Sequence, residues 1–259
     1  SGVVSLESGH SSQHMSALIM ALAMVPGPSQ ISVIGTLKSR PYVDLTMDVC
    51  RSFGLEMSWS HEYGESSVSI KGGQRPQAET FEVEGDWSSS AFMLVASVLT
   101  GRAVSIAGLA RESQQADSVI LDVLQAFGSY PQWSGTQLHL HPNAIVSNAS
   151  ICVEHCPDLF PILCVVAALA EGPTRLHGAP GLRTKECDRI AVMAEGLKQV
   201  GIRTEALSDG LVVLGGVPRR NTVTTEGDHR IRMAFRVLSL VVESGLEVDG
   251  EGCEEGACE

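Results

Sequence analysis

The chain has 259 residues, 44% of them hydrophobic, and a formal net charge of −12 at pH 7. This hydrophobic fraction can fill a sizeable core and excludes a disordered chain. The acidic balance excludes a general nucleic-acid coat, which needs surplus cations to displace counterions.

The sequence predicts a cytoplasmic protein with no membrane segment. No apolar run reaches 18 residues, about the shortest length typical of a spanning helix. No basic segment followed by an apolar one opens the chain, and its 7 cysteines lack the spacing of a disulfide framework, which favours reduced thiols. The chain starts at Ser1 rather than Met and stops at Glu259 without a closing helix, which indicates a processed product or a piece of a longer protein.

Four polar clusters that predict helix starts recur along the chain. They begin at positions 11, 86, 157 and 228, at steps of 75, 71 and 71 residues. Each precedes a stretch rich in Ala, Leu and Val that predicts a helix buried most of the way round. The clusters are Ser11-Ser12-Gln13, Asp86-Trp87-Ser88, Pro157-Asp158 and Asp228-His229-Arg230.

Amphipathic helices alternate with these buried ones. Their apolar residues recur at helical spacing and stop before Gly54, Gly128 and Gly201, where glycine predicts the helix C-cap. A strand of alternating polarity follows each, at residues 67–72, 137–141 and 210–214. The repeated unit is βαβαββ over about 72 residues, and the chain holds about three units and the opening of a fourth. Such units predict an α/β fold with buried helices inside and sheets outside.

Polar residues at the helix starts are the candidates for a binding site. First-turn amides and hydroxyls attract anions, so Ser11, Ser12 and the segment 36–44 suit an anionic ligand. Plain N-capping, which we favour for Ser11 and Ser12 on this pattern alone, and a solvated turn at 36–44 are the alternatives. Asp158 is either an N-cap or a general base at a mouth between layers.

The densest charge cluster is residues 183–189, with five charged groups in seven positions. Lys185 and Arg189 are four apart and can face one way on a helix, with Glu186 beside them, although surface ion pairing gives the same pattern. Arg230 precedes the next buried helix, where a cation is costly unless it meets an anion. Together the helix starts predict one mouth for a small phosphorylated, carboxylated molecule.

Neither a metal nor a cofactor is predicted. Cys152, His155 and Cys156 lie close together in the sequence, but a second pair of ligands at the usual spacing is missing. A glycine-rich phosphate loop is also missing, which argues against nucleotide hydrolysis.

Six segments, in order and at matching spacing, carry a family resemblance. They are Ser11-Ser12-Gln13, residues 39–44, residues 83–86, Pro157-Asp158, residues 183–189 and Asp228-His229-Arg230. They resemble the 5-enolpyruvylshikimate-3-phosphate synthase family of enolpyruvyl transferases. The resemblance implies two globular domains of βαβαββ units, an inside-out α/β barrel arrangement, with the active site in the cleft between them. Residues 1–76 would be the last unit of the first domain, and residues 77–259 the second domain with its last unit truncated.

The resemblance also implies a reaction and the residues that perform it. The enolpyruvyl group of phosphoenolpyruvate moves to the 5-hydroxyl of shikimate 3-phosphate, with release of phosphate and without cofactor or metal. Asp158 would accept the hydroxyl proton, Lys185 would hydrogen-bond the same region, and Glu186 would protonate the enol methylene, although coupled groups can exchange these roles. The residues implied to hold shikimate 3-phosphate are Ser11, Ser12, Gln13, Ser39, Tyr42, Asp158 and Lys185. Those implied to bind phosphoenolpyruvate are Gln13, Arg189, His229 and Arg230.

The chain departs from the family pattern in three places. The family's opening Gly-Ser-Lys-Ser and Gly-Asn-Ala-Gly-Thr segments are missing, Gly181 replaces an asparagine, and residues 253–259 stand where the family has a closing lysine. The resemblance therefore implies that about half of the phosphoenolpyruvate site is absent from this sequence. Three hypotheses follow: a partial synthase whose partner is the missing half of the same protein, a repurposed homologue that eliminates or dehydrates a shikimate-like acid, and a non-catalytic shikimate-phosphate-binding relative.

Overall fold

The computed structural model describes residues 2–7, 12–35, 37, 39–62, 65–77, 80–143, 145 and 149–249. The chain divides into two compact units. Unit 1 comprises Ser1–Val83 and Glu112–Ala116, and unit 2 comprises Glu84–Arg111 and Asp117–Glu259. Residues 77–83 belong to unit 1, and the domain boundary that the resemblance implies after residue 76 stays a prediction. Ser11 and the tail at 253–259 lie outside the described residues.

Unit 1 contains one four-stranded sheet and two helices. Its elements are β1 (Gly2–Glu7), α1 (Ser12–Met24), β2 (Ser29–Ile34), α2 (Arg40–Ser52), β3 (Met57–Glu62) and β4 (Glu65–Ile70). Parallel β1 and β2 pair along one side, β4 is antiparallel to β2 and β3, and the order is β1-β2-β4-β3. The helices and one sheet face enclose a core that includes the fully buried Ile31, Met47 and Val68.

Unit 2 contains five helices and nine strands in its described part. The helices are α3 (Trp87–Thr100), α4 (Ile120–Ala126), α5 (Phe160–Leu169), α6 (Arg189–Gln199) and α7 (His229–Ser239). The strands are β5 (Val104–Ala107), β6 (Tyr130–Ser134), β7 (Gln137–His141), β8 (Ser150–Cys152), β9 (Pro173–His177), β10 (Arg203–Ala206), β11 (Leu211–Leu214), β12 (Thr222–Val223) and β13 (Glu247–Val248). Short 3-10 helices cover Ala116–Val119, Pro157–Leu159 and Pro180–Thr184.

The strand order of unit 1 recurs in unit 2. Strands β8, β9, β11 and β10 form a sheet in which the first two are parallel and the others antiparallel, matching β1, β2, β4 and β3 position by position. Strands β5, β7 and β6 form a second, antiparallel sheet, and parallel β12 and β13 open a further repeat. The predicted repetition of βαβαββ units in an α/β fold is confirmed.

The amphipathic helices α2, α4 and α6 end in the same way. The predicted glycines Gly54, Gly128 and Gly201 have left-handed φ angles of 78°, 99° and 86°. Each glycine amide bonds to the carbonyl three residues before it, and the next amide bonds to the carbonyl five residues before it, all at 2.8 to 3.0 Å. This paired closure satisfies the last carbonyls of a helix and favours a residue without a β-carbon. The repeated units therefore share the same individual hydrogen bonds at the ends of these helices.

Three helices, α3, α5 and α7, pack against one another inside unit 2. Every residue of α5 from Phe160 to Ala168 is buried, as the charge-free sequence of this stretch predicts. The α-helix starts later than predicted, because Pro157–Leu159 form a separate 3-10 turn. The expectation of helices inside and sheets outside is confirmed. Across the described ranges, no helix has both the length and the apolar character needed to cross a membrane.

The topology brings helix starts to one edge of a sheet. α5 connects the parallel strands β8 and β9, and α6 connects β9 to β10, which run the same way because both are antiparallel to β11. Both helices therefore begin beyond the carboxyl ends of strands. α1 and α2 have the same relation to the sheet of unit 1. Such edges gather ligand-binding side chains and helix N-termini.

Candidate active site

The centre of the candidate site in unit 2 is the guanidinium group of Arg189, the first residue of α6. Its side chain is only 1% exposed, and three carboxylates surround it. Nη1 donates to Asp158 Oδ1 at 2.9 Å, Nη2 to Glu186 Oε2 at 2.8 Å, and Nε to Asp228 Oδ2 at 2.8 Å. Burial of a guanidinium is costly unless its charge is paired, so these contacts explain why Arg189 lies inside the protein.

A second guanidinium, that of Arg230 in α7, completes the network. Its Nη2 lies 3.2 Å from Asp158 Oδ2, so each oxygen of Asp158 faces a different arginine. The sequence left Asp158 open as an N-cap or a base. No side chain caps the Pro157–Leu159 turn or α5, so the carboxylate serves the arginines instead. The carboxylate of Asp158 therefore offsets the desolvation cost that was predicted for Arg230 at the start of a buried helix.

Asp228 is a member of the site that the sequence analysis missed. It is fully buried and caps α7 by accepting from the amides of Arg230 at 2.9 Å and Ile231 at 3.1 Å. Burial acts to raise the pKa of Asp228, but the bond to Arg189, its charge and the two amides outweigh burial and hold this pKa below its usual value. The sequence signal that could have identified Asp228 is its position beside arginines at the start of a buried helix, because a buried arginine requires a carboxylate partner.

Lys185 and Glu186 lie in the segment that leads into α6. Lys185 follows the 3-10 helix Pro180–Thr184 in an extended conformation, so the prediction that Lys185 and Arg189 share a helix face is wrong. The physical reason is Asp188, whose side chain accepts from the amide of Ala191 at 3.0 Å and so fixes the helix start after it. Lys185 is exposed, and so is His229. Neither joins the Arg189 network within the part of the chain that the structure describes.

The remaining candidates lie in unit 1, at the starts of α1 and α2. Ser16 Oγ and Thr46 Oγ1 are 2.7 Å apart and join the two helices one turn beyond Ser12 and Tyr42. Ser39 has a left-handed backbone with φ of 54°, and its hydroxyl does not cap α2. The described unit 1 candidates are Ser12, Gln13, Ser39 and Tyr42.

Comparison with known proteins gives the family of this chain. A family model described as EPSP synthase (3-phosphoshikimate 1-carboxyvinyltransferase) matches residues 1–256. The chain belongs to the EPSP synthase family. The resemblance drawn from the six sequence segments is therefore confirmed.

Relatives within the EPSP synthase family are longer than this chain. The 3-phosphoshikimate 1-carboxyvinyltransferase of Clostridium acetobutylicum is 37% identical over 254 residues, which are 97% of this chain and 58% of the relative. That of Halobacterium salinarum is 35% identical over 257 residues, 96% of this chain and 59% of the relative. A solved EPSP synthase from Acinetobacter baumannii has a TM-score of 0.73 and 26% identity, covering 96% of this chain and 58% of that one. The chain thus spans less than two thirds of the length of these family members.

Proposed function

We propose that this chain supplies part of the catalytic site of a 3-phosphoshikimate 1-carboxyvinyltransferase. In this reaction the enolpyruvyl group of phosphoenolpyruvate moves to the 5-hydroxyl of shikimate 3-phosphate, and phosphate is released. The observation that carries the proposal is the direct contact among Asp158, Glu186, Arg189 and Arg230, which come from three separate helix starts. The names of the longer relatives support the same activity.

The proposed roles of the unit 2 residues are phosphoenolpyruvate binding, proton transfer and a hydrogen bond to shikimate 3-phosphate. Two neighbouring guanidinium groups, those of Arg189 and Arg230, suit an anion that carries both carboxylate and phosphate oxygens. Asp158, which contacts both arginines, is placed to accept the proton of the 5-hydroxyl. Glu186 is 51% exposed at the rim and is the proposed proton donor to the enol methylene. The exposed Lys185 is proposed to hydrogen-bond shikimate 3-phosphate, and the exposed His229 to bind phosphoenolpyruvate.

The proposed role of the unit 1 residues is to bind shikimate 3-phosphate, with Gln13 also binding phosphoenolpyruvate. Ser12, Gln13, Ser39 and Tyr42 lie at two helix starts on one edge of a sheet, where amides and hydroxyls suit a phosphate. In this proposal unit 1 is the last repeat of one domain and unit 2 is the second domain. The partner that completes the site is the remainder of the same protein. The unpaired state of the described cysteines supports a cytoplasmic location.

Phosphate release tests the proposal. The chain alone, given phosphoenolpyruvate and shikimate 3-phosphate, should release no phosphate, because half of the anion site is missing. Mixing it with the segment of the Clostridium acetobutylicum relative that it does not cover should restore release, and Asp158→Ala should abolish the restored activity. A diene formed from shikimate 3-phosphate alone, seen by ultraviolet absorption, would favour the repurposed homologue. Lack of shikimate 3-phosphate binding in calorimetry would leave no role for the unit 1 residues and contradict the proposal.

A further inference from the structure

Arg189 has two kinds of partner. Its Nε bonds to Asp228, which is 0% exposed and is also tied to two amides of α7. Its Nη atoms bond to Asp158 and Glu186, whose side chains are 22% and 51% exposed. A carboxylate that reaches solvent can exchange a protein partner for water, whereas a buried one cannot leave without losing all its hydrogen bonds. The Nε edge is therefore fixed, and the Nη edge is exchangeable.

The charges of the cluster oppose a further anion. Arg189 and Arg230 carry two positive charges, and Asp158, Glu186 and Asp228 carry three negative ones. An anion that approached the Nη atoms of Arg189 would be repelled by the carboxylates of Asp158 and Glu186, which lie within a few ångströms. Because the Arg189 side chain is 1% exposed, its Nη hydrogens are reached only when one of the two exchangeable carboxylates moves away.

We propose that Asp158 and Glu186 are internal ligands of the arginine pair, which an incoming phosphoenolpyruvate anion displaces, and that they thereby set the anion affinity of the site. The identity of the anion rests on the proposed function. Glu186 is the more exposed and moves first. Displacement of Asp158 from its two arginines releases its carboxylate to the 5-hydroxyl of shikimate 3-phosphate, so the base becomes available only when the anion is in place.

Calorimetric titration of the 259-residue chain with inorganic phosphate and with phosphoenolpyruvate tests this proposal. Asp158→Asn and Glu186→Gln, which keep size and remove one charge each, should both bind the two anions about tenfold more tightly or better, because a competing ligand is lost. The matched control is Glu195→Gln on α6, whose exposed partner Lys198 lies 3.1 Å away. It changes the net charge equally and should alter anion affinity by less than about twofold.

Unchanged or weaker anion binding by folded Asp158→Asn would overturn the proposal, and so would equal tightening in Glu195→Gln. Circular dichroism establishes folding, and if Asp158→Asn does not fold, the exposed Glu186→Gln decides alone. Absence of phosphate binding in every variant also overturns it. The proposed function can fail separately. If the variants bind phosphate more tightly but the mixed assay shows no enolpyruvyl transfer, the internal-ligand proposal stands and the assigned reaction is wrong.

Discussion

Arg189 and Asp228 form an ion pair in which both side chains are withdrawn from solvent, with Nε 2.8 Å from Oδ2. The two residues stand at the starts of α6 and α7, so one contact ties the two helices together. The other oxygen of Asp228 accepts from the amides of Arg230 and Ile231. The same carboxylate thus fixes one arginine through its side chain and the other through the backbone.

Asp228→Asn should destabilise unit 2 strongly. Asparagine still caps a helix, but the buried Arg189 loses one of its negatively charged partners. Removal of one partner from a buried ion pair costs about 3–5 kcal/mol. The matched control is Asp188→Asn, the same change at the cap of α6, where Arg183 and Asp188 form a partly exposed pair at 2.8 Å. It should cost less than about 1 kcal/mol. Urea denaturation measures both, and equal losses would show that burial of the pair is unimportant.

The free energy of unfolding should fall in acid because of Asp228. The pKa of Asp228 is lower in the folded chain than its ordinary value, so protonation favours unfolding. This contribution is complete above the unfolded pKa of about 3.9 and is lost as the pH falls through the lower folded value. Urea denaturation between about pH 6 and pH 3 should show a smaller acid loss for Asp228→Asn than for the natural chain. The pKa of Asp86 is also lowered, but Asp86 is present in both proteins, and parallel curves would contradict the role of Asp228.

Local chemistry made much of the fold predictable from the sequence. The glycines Gly54, Gly128 and Gly201 marked helix ends because only glycine adopts their left-handed conformation easily. The contact between Arg189 and Asp228 spans 39 residues and depends on the packing of two helix starts, so spacing along the chain could not reveal it. The prediction that Lys185 lies on a helix face was wrong for a local reason: Asp188 caps α6, so the helix begins after Lys185.

Gly196→Ala should destabilise the contact between α6 and α7. A β-carbon at Gly196 would lie 2.5 Å from Cζ of Phe235 and 3.1 Å from Cγ1 of Val223, and the Phe235 ring is fully buried. Overpacking of this kind costs about 1–3 kcal/mol and exceeds the gain of about 1 kcal/mol from helix propensity. Urea denaturation should therefore show a net loss. The control Glu195→Ala, at the neighbouring exposed position, should change stability by less than about 0.5 kcal/mol, and a more stable Gly196→Ala would refute the close approach.

Ser39→Gly should separate stability from ligand binding in unit 1. The left-handed backbone of Ser39, with φ of 54°, is strained for an L-residue, and its hydroxyl does not cap α2. Glycine should therefore keep the stability or raise it by up to about 1 kcal/mol. Loss of the hydroxyl should weaken binding of shikimate 3-phosphate by about tenfold to a hundredfold, because a hydrogen bond to a charged group contributes about 1.5–3 kcal/mol. The matched control is Ser244→Gly, where φ is 65°; calorimetry should show unchanged affinity there. Unchanged affinity in Ser39→Gly as well would remove Ser39 from the proposed phosphate site.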